Sequence, residues 1–357
     1  MSINKLYHTW FQRIVQFRPN ERKTRIRNMV WLMVGVLTSR SVHLSRVAAK
    51  IPGKAVLNST IQRLRRFLDN PAVSVREWYE PVVRDLLLAQ AQSGQGIRLL
   101  VDGSKVGFGH QLLMVAMAYR RRAIPIAWTW VKGNRGHSSA VKQLALLKYV
   151  HGLIPSDMPV FMAGDSKFGA IGVLKQLDKW QWKYVLRQKS SHLVHIDGQD
   201  WQPFGDLIEE VGQSFWFEQV HLTQQYAYRV NLLAHWKPGE KEPWLLATNL
   251  PTLRVALVVY RRRMWIEEMF GDFKKHGFDL ESTRLRHFLR LSRLTLAVAW
   301  LYVWLVSFGS QVIKNGHRRQ VDRSGRKDLS VFRIGFNMAQ RCLTNFLPLP
   351  VRLIPYF

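Results

Sequence analysis

The fold is decided by one stretch of the chain, which reads Tyr260-Arg261-Arg262-Arg263-Met264-Trp265-Ile266-Glu267-Glu268-Met269-Phe270-Gly271-Asp272-Phe273-Lys274-Lys275. The apolar spacing predicts a helix that begins near Thr252 and runs past Lys275. At about 100° per residue, Arg263, Glu267 and Lys274 lie at roughly 300°, 340° and 320° from Tyr260. The four polar side chains therefore share one narrow face, while the opposite side can anchor the helix through Trp265, Ile266, Met269 and Phe273. Such a face can meet a ligand, although Arg263 and Glu267 at i and i+4 are also typical of a surface ion pair.

Two aspartates upstream each close an apolar run. Asp102 follows residues 99–101, and Asp165 follows residues 160–164. An acid in this position is often only a turn former or a helix cap. A right-handed crossover can, however, place the second strand beside the first, about 4.8 Å away. Two carboxylates so placed repel each other unless a cation lies between them, and hard oxygen ligands favour Mg²⁺.

The periodicity between these motifs predicts an α/β fold. Strand-like stretches cover residues 97–106, 112–119, 123–131, 160–163 and 184–187, and helical ones cover 138–151 and 170–180. This order indicates a mixed sheet with helices on both faces. Further strands are expected at 214–217, 226–234 and 244–247, and a second long helical stretch at 286–309.

Composition shifts divide the chain into five regions. We expect a helical DNA-end-binding domain at 1–95, a first part of the core at 96–189, a β-rich insertion at 190–250, the last core helices at 251–310 and a basic C-terminal tail at 311–357. Within the tail, residues 314–326 are basic and rich in turn formers, which is typical of a disordered or DNA-draped segment.

The first region contains a stretch that resembles a helix-turn-helix. Residues 42–51 precede Pro52-Gly53, and a second helix would be capped by Asn58 or Ser59. That helix would carry Thr60, Gln62, Arg63 and Arg66 toward a DNA groove. The alternative is an ordinary basic helix with a solvated face.

The overall charge indicates an anionic polymer as partner. The 357 residues include 53 Lys and Arg against 24 Asp and Glu, a formal charge of +29. A membrane surface would also attract this charge, but the apolar run 294–306 is shorter than the roughly 20 residues that cross a bilayer, so we interpret it as a core helix. The single cysteine, Cys342, excludes an intramolecular disulfide, and no secretory pattern is found at the N-terminus, so a cytoplasmic, nucleoid-associated protein is expected.

The spacing Tyr260, two residues, Arg263, three residues, Glu267, six residues, Lys274 resembles the Tyr-Arg-Glu-Lys signature of bacterial insertion-sequence transposases of the insertion sequence four family. The resemblance covers about residues 97–309. It implies an RNase H-like catalytic core with a β-rich insertion before the last catalytic helix. It also implies that Asp102, Asp165 and Glu267 are the metal ligands, and that Tyr260, Arg263 and Lys274 contact phosphates. A serine, Ser104, stands where relatives often have threonine.

The resemblance implies a definite chemistry. Two Mg²⁺ ions, which Mn²⁺ can replace, would support cleavage and strand transfer of double-stranded DNA ends by a homodimer. A hairpin intermediate would require a flipped base stacked on an aromatic side chain, for which Trp182, Trp201, Trp216, Trp236 and Trp244 are candidates.

Other interpretations remain open at this point. A nuclease or junction resolvase has the same scaffold, and a domesticated, catalytically silent DNA-binding protein can retain the acids. A basic membrane-surface protein fits the charge but not the carboxylates. His137 and Arg135 either contact DNA or are structural, and residues 120–122 form either a phosphate contact or a solvated cationic turn.

Overall fold

The computed structural model describes residues 2–107, 109–132, 139–325 and 327–357. Arg135, His137, Ser138 and the rest of the predicted turn at 133–136 lie outside these ranges, as does Phe108. The serine that precedes the first core helix in the described part is Ser139.

Over residues 2–95 the structure is helical, as the sequence predicts. The five helices are α1 (Ile3–Phe17), α2 (Lys23–Ser39), α3 (Leu44–Ala48), α4 (Leu57–Asp69) and α5 (Val75–Gln92). Helix α1 begins where the Ser2 side chain accepts a hydrogen bond from the Lys5 amide, and it buries Leu6, Trp10 and Ile14 at helical spacing.

The helix-turn-helix prediction needs correction in two details. Helix α4 is preceded by Val56 as its N-cap, so neither Asn58 nor Ser59 caps it. Thr60 does not face solvent, because it is only 7% exposed. It lies on the same stripe as Leu64 and Phe67, which face the core at i+4 and i+7. The exposed side of α4 carries Gln62, Arg65 and Arg66, and Arg63 is half-buried.

Strands and helices alternate in the next part of the chain, in the predicted order. The strands are β1 (Ile97–Val106), β2 (His110–Tyr119) and β3 (Arg122–Lys132), followed by α6 (Ala140–His151), β4 (Val160–Gly164), α7 (Ile171–Lys179) and β5 (Lys183–Arg187). Strand β1 pairs antiparallel with β2 and parallel with β4, and β4 is parallel to β5. The consecutive residues Leu99, Leu100 and Val101 are all buried. Because alternate side chains of a strand point to opposite faces, both faces of the sheet are covered here.

The β-rich region extends this same sheet. Strands β6 (Leu193–His195), β7 (Gln202–Pro203), β8 (Ser214–Leu222), β9 (Tyr228–His235) and β10 (Trp244–Thr248) follow in the chain. Strand β10 pairs antiparallel with β5, so within the described residues ten strands form one sheet in the order β3-β2-β1-β4-β5-β10-β9-β8-β6-β7. The first five strands of this order form the RNase H-like core that the resemblance implies.

The helix predicted from Thr252 past Lys275 is not continuous in the structure. Helix α8 (Leu253–Tyr260) begins at the Thr252 cap, as predicted, and a 3-10 turn (Arg261–Arg263) separates it from α9 (Met264–Phe273). Helix α9 ends before Lys274, where the chain turns so that Gly277 packs against the backbone oxygen of Asp272 and the ring of Phe332. A side chain at Gly277 would collide with both groups, and this contact is invisible in a helical wheel.

Helix α10 (Phe288–Lys314) is the core of the protein. By length and composition it could cross a membrane, but 89% of its apolar window is buried inside the protein. Trp10 of α1 contacts Trp300 and Trp304 edge to face, with ring centroids 6.0 and 5.5 Å away. The interpretation of residues 294–306 as a core helix is confirmed.

The C-terminal residues differ from the predicted tail. Helix α11 (Val331–Thr344) packs along α10 and buries Phe332 and Phe336, and Leu349 and Leu353 beyond it are buried too. Helices α10 and α11 approach closely where Gly309 meets Gly335. The space there is so small that a Cβ at Gly335 would overlap the carbonyl oxygen of Leu305. The prediction of a basic tail rested on the turn-rich segment before α11 and did not include this amphipathic helix.

We predict that Gly335→Ala lowers the free energy of unfolding by about 1–3 kcal/mol, because the added methyl group must push two packed helices apart. Gly172→Ala in α7 is the matched control, since a Cβ there meets nothing within 4 Å. That change should be neutral or stabilising by about 0.5–1 kcal/mol. Urea denaturation of both variants measures the difference, and equal stabilities would contradict the close α10–α11 contact.

Candidate active site

Asp102 and Asp165 lie side by side in the structure. The parallel pairing of β1 with β4 ends with Val101 opposite Gly164. Asp102 and Asp165 are the residues that directly follow this last pair. Asp102 is 8% exposed, and Asp165 is half-buried. Asp165 precedes a 3-10 turn (Ser166–Phe168), but its side chain makes no capping hydrogen bond. The neighbouring strands predicted from the sequence are therefore present, and the capping alternative for Asp165 is not.

Glycines allow the close approach of these strands. At Gly164 a Cβ would lie 2.7 Å from a Val101 methyl group and 3.0 Å from a Leu186 methyl group. At Gly103 a Cβ would collide with the side-chain amide of Gln111, a residue that is 2% exposed. Small residues next to both acids thus let the carboxylates share one end of the core.

Arg263 connects Asp102 to Glu267. The Arg263 Nη1 atom lies 2.6 Å from Glu267 Oε1 and 3.7 Å from Asp102 Oδ2. Asp102 also accepts a 2.6 Å hydrogen bond from the Gly103 amide through Oδ1. The i, i+4 pair expected on the helix surface is present, and it is also part of the acidic site.

The electrostatics of this site favour an extra positive charge. Burial raises the pKa of Asp102 to about 6, and the charges of Asp165 and Glu267 add to this effect. The Gly103 amide and the Arg263 guanidinium act in the opposite direction but do not compensate fully. Burial alone would lower the pKa of Arg263, but nearby Tyr260, Glu267 and the two aspartates raise it above its ordinary value.

Tyr260 is buried beside this cluster. Its ring packs edge to face on Trp244, with centroids 5.1 Å apart, and the Arg263 guanidinium carbon lies 5.9 Å from its ring centroid. Burial raises the pKa of the Tyr260 hydroxyl, and the Arg263 guanidinium beside it acts in the opposite direction. The hydroxyl has no hydrogen-bond partner in the part of the chain that the structure describes.

Lys274 is not held on the predicted helical face. Because α9 ends at Phe273, Lys274 leaves the wheel on which it was aligned with Glu267. Its ammonium group lies 3.2 Å from Glu281. The structure therefore brings together Tyr260, Arg263 and Glu267, whereas Lys274 has another acidic partner.

Glu268 points toward a different set of residues from Glu267. Its carboxylate lies 3.2 Å from Arg122 Nη1, and Arg122 Nε donates a 2.8 Å hydrogen bond to the buried Asp272. Arg122 is thus engaged in ion pairs rather than in the solvated turn considered from the sequence. Arg120 and Arg121, with φ of 42° and 62°, form the tight turn between β2 and β3.

The tryptophan candidates differ in exposure. Trp182 is only 3% exposed and packs with Trp180 and His151, so it belongs to the core. The other four candidates are half-exposed: Trp201, Trp216, Trp236 and Trp244. Trp244 is the one in ring contact with Tyr260, which places it beside the acids.

The structure contains a cationic cavity that was not predicted from the sequence. It has a volume of about 470 Å³ and lies between the N-terminal helices and the start of α10. Its charged lining includes Arg65, Arg284, Arg286 and Arg290. Arg290 makes a bidentate pair with Asp69 of α4, with distances of 2.9 and 2.8 Å. The alternating arginines of residues 284–286 were a signal that could have revealed this cavity.

Hard oxygen donors dominate the acidic site and fit divalent metal ions such as Mg²⁺. The carboxylates of Asp102, Asp165 and Glu267 are held near one another, and the charges of the other two add to the burial that raises the pKa of Asp102. The side-chain oxygens of these three acids do not, however, all lie within 4.8 Å of one another, as ligand atoms that share one metal ion would. The donor set fits such ions, and Glu267, whose side chain is 44% exposed, has room to move.

The fold is that of a mixed α/β protein with an RNase H-like core. The chain matches the transposase DDE domain family over residues 98–304, more than half of its length, and so belongs to that family. A cryo-EM structure of the piggyBac transposase synaptic complex with hairpin DNA is similar at 10% identity, with a TM-score of 0.44, over 96% of this chain and 83% of that one. Comparison with curated proteins gives no match.

We predict that Asp102→Asn stabilises the metal-free protein at neutral pH. The folded-state pKa of about 6 lies above the ordinary value of 3.8, so this carboxyl favours the folded state at low pH and loses that contribution as pH rises to 6. The gain from asparagine should reach up to about 3 kcal/mol above pH 6 and shrink as pH falls toward 4. Unfolding free energies with EDTA at several pH values measure it. Asp85→Asn, on the exposed side of α5, is the control, and a pH-independent difference for Asp102→Asn would contradict this origin.

Proposed function

We propose that this protein is a transposase of the insertion sequence four type, which cleaves and joins the double-stranded ends of a mobile DNA element. The observation that carries this proposal is the alignment of Asp102 with Asp165 on neighbouring parallel strands, together with the Arg263 bridge to Glu267. Family membership supports the reaction class, polynucleotidyl transfer. A resolvase or other nuclease with the same core has no evident need for the Tyr260-Arg263-Glu267 arrangement.

Asp102, Asp165 and Glu267 would hold two Mg²⁺ or Mn²⁺ ions. When bound, such ions activate water or a 3′-hydroxyl and stabilise the leaving oxygen of an in-line phosphoryl displacement. Without them, Arg263 supplies positive charge to Asp102 and Glu267. We infer that Arg263 exchanges these carboxylates for a DNA phosphate when the site is filled, because a guanidinium forms strong charge-assisted hydrogen bonds with either partner.

The side chains around the acids are suited to hold the DNA backbone. The buried Tyr260 hydroxyl can donate to a phosphate oxygen, and Trp244 against its ring offers a flat surface for a flipped base. The proposal keeps the DNA contacts predicted for Arg63 and Arg66 of α4 and for Lys274. A homodimer, with one active site for each element end, accounts for paired cleavage and is part of the proposal.

The cationic cavity extends the DNA surface toward the N-terminal helices. Arg65 and Arg284 are exposed in its lining, and no ion pair is found for either among the described residues. The formal charge of +29 favours phosphate contacts of this kind. We infer that the duplex passes over this cavity on its way to the acidic site.

The first test distinguishes two adjacent glutamates. Glu267→Gln should bind element ends but fail to cleave them in Mg²⁺, because it loses one metal ligand and keeps the basic residues that hold DNA. Glu268→Gln should retain most activity, since Glu268 contacts Arg122 on the other side of the helix. Cleavage and binding are measured in parallel on both purified variants. An active Glu267→Gln beside an inactive Glu268→Gln would overturn the site assignment.

The second test concerns the cationic cavity. Arg284→Ala should weaken binding to specific and random duplexes alike and reduce the slope of log affinity against log salt by about 1, which is the loss of one phosphate contact. Arg84→Ala on α5 removes the same charge from a residue already paired with Glu80 and should leave the slope unchanged. Titrations from low to physiological salt give both slopes. If the two variants behave identically, the duplex does not cross the cavity.

A further inference from the structure

A second group of metal-ligating side chains lies far from the acids. His195 of β6 and His221 of β8 are directly paired across the antiparallel ladder, and Asp197 follows β6 by two residues. One ligand atom from each of the three side chains lies within 4.8 Å of the other two. We propose that His195, Asp197 and His221 form a binding site for a divalent transition metal of the Zn²⁺ class.

Backbone geometry places the carboxylate beside the histidines. Directly opposed residues on antiparallel strands have Cβ atoms about 4.5–5.5 Å apart, which suits two imidazoles on one ion. A turn between Ile196 and Gln199 then reverses the chain and brings Asp197 back to the pair. Gly198, with φ of +84°, permits this turn because the left-handed region is open to glycine.

Among the described residues, no hydrogen bond or ion pair of these three side chains explains their proximity. The ring contacts found for His195 are those with His221 and Trp201, and Asp197 forms no ion pair in a protein of formal charge +29. A cation shared with the two imidazoles would neutralise this carboxylate.

The donor set selects a different metal from the acidic site. Imidazole nitrogen suits zinc, copper, nickel and iron, whereas Mg²⁺ prefers oxygen ligands. Two histidines and one aspartate leave a fourth position for water in a tetrahedral zinc site. The sheet order places β6 five strands from β4, so this site is about 24 Å from Asp165 at 4.8 Å per strand. It is therefore separate from the catalytic chemistry.

Strand lengths suggest what such an ion would do. At this edge of the sheet β6 has only three residues and β7 only two. An ion shared by His195, Asp197 and His221 would fasten the short edge strands to β8, in the way that structural zinc ions stabilise small folded elements.

Co²⁺ binding to the untagged full-length chain tests the proposal. After EDTA treatment, Co²⁺ is titrated in excess Mg²⁺ and followed by visible absorption. We expect one equivalent to bind, to be displaced by Zn²⁺ and to resist Mg²⁺. Asp197→Asn and His221→Asn should each weaken the affinity at least tenfold, since even lost outer contacts weaken metal sites by 10–100-fold. His8→Asn, an exposed histidine on α1, should leave it unchanged.

Thermal unfolding supplies a second readout. Zn²⁺ should raise the unfolding temperature of the wild-type chain but not that of Asp197→Asn. Because Asp197 is exposed in a turn, this variant is expected to fold even if His221→Asn does not. Failure of the wild type to bind Co²⁺, or equal binding by the wild type and Asp197→Asn, would overturn the proposal. Neither result depends on DNA cleavage.

Discussion

The parallel pairing of β1 with β4 is the constraint on which the site depends, because it forces two carboxylates to end up side by side. Gly164 lets the strands approach at this point, and the surrounding apolar residues remove water from Asp102. This desolvation, with smaller contributions from the charges of Asp165 and Glu267, raises the pKa of Asp102. Arg263 acts in the opposite direction without offsetting the whole shift, so a bound cation would relieve the remaining cost of burying this charge.

The segment that carries Glu267 also brings the Arg263 guanidinium to Asp102. The 3-10 turn at Arg261–Arg263 lets α8 and α9 pack on different parts of the sheet, with α8 against β4 and β5 and α9 against β1, β2 and β3. Arg263, at the junction, is therefore within reach of both Asp102 and Glu267. A straight helix through Lys274 would have kept the four signature residues in line but could not have followed the twisted sheet in this way.

Sequence reasoning succeeded where local pattern and strand order were enough. The apolar runs at 99–101 and 160–164 are each followed by an aspartate, and the only additional assumption was a right-handed crossover between them. It failed where tertiary contacts decided the outcome. Lys274 leaves the helix because Gly277 packs against Asp272 and Phe332, and Thr60 is buried because it lies in line with Leu64. Arg284, Arg286 and Arg290 of the cationic cavity lie in one local window, but Arg65 is more than 200 residues away in the chain, so no local window could unite it with them.

A buried arginine explains how the N-terminal helices are tied to the catalytic core. Arg293 of α10 is 5% exposed and donates to the carbonyl oxygens of Leu68 and Val73, at 2.9 and 3.0 Å. Burial lowers its pKa, which reflects the cost of removing this cation from water. The planar donors of Arg293 pair with carbonyl oxygens at and just beyond the C-terminal end of α4 and fix that end on α10. One turn earlier, Arg290 pairs with Asp69 at the edge of the cationic cavity. The basic face of α4 is thereby held in a defined orientation on the helix that also supports the sheet. A duplex bound at the cavity would then meet the acids at a fixed distance, as cleavage at a set position requires.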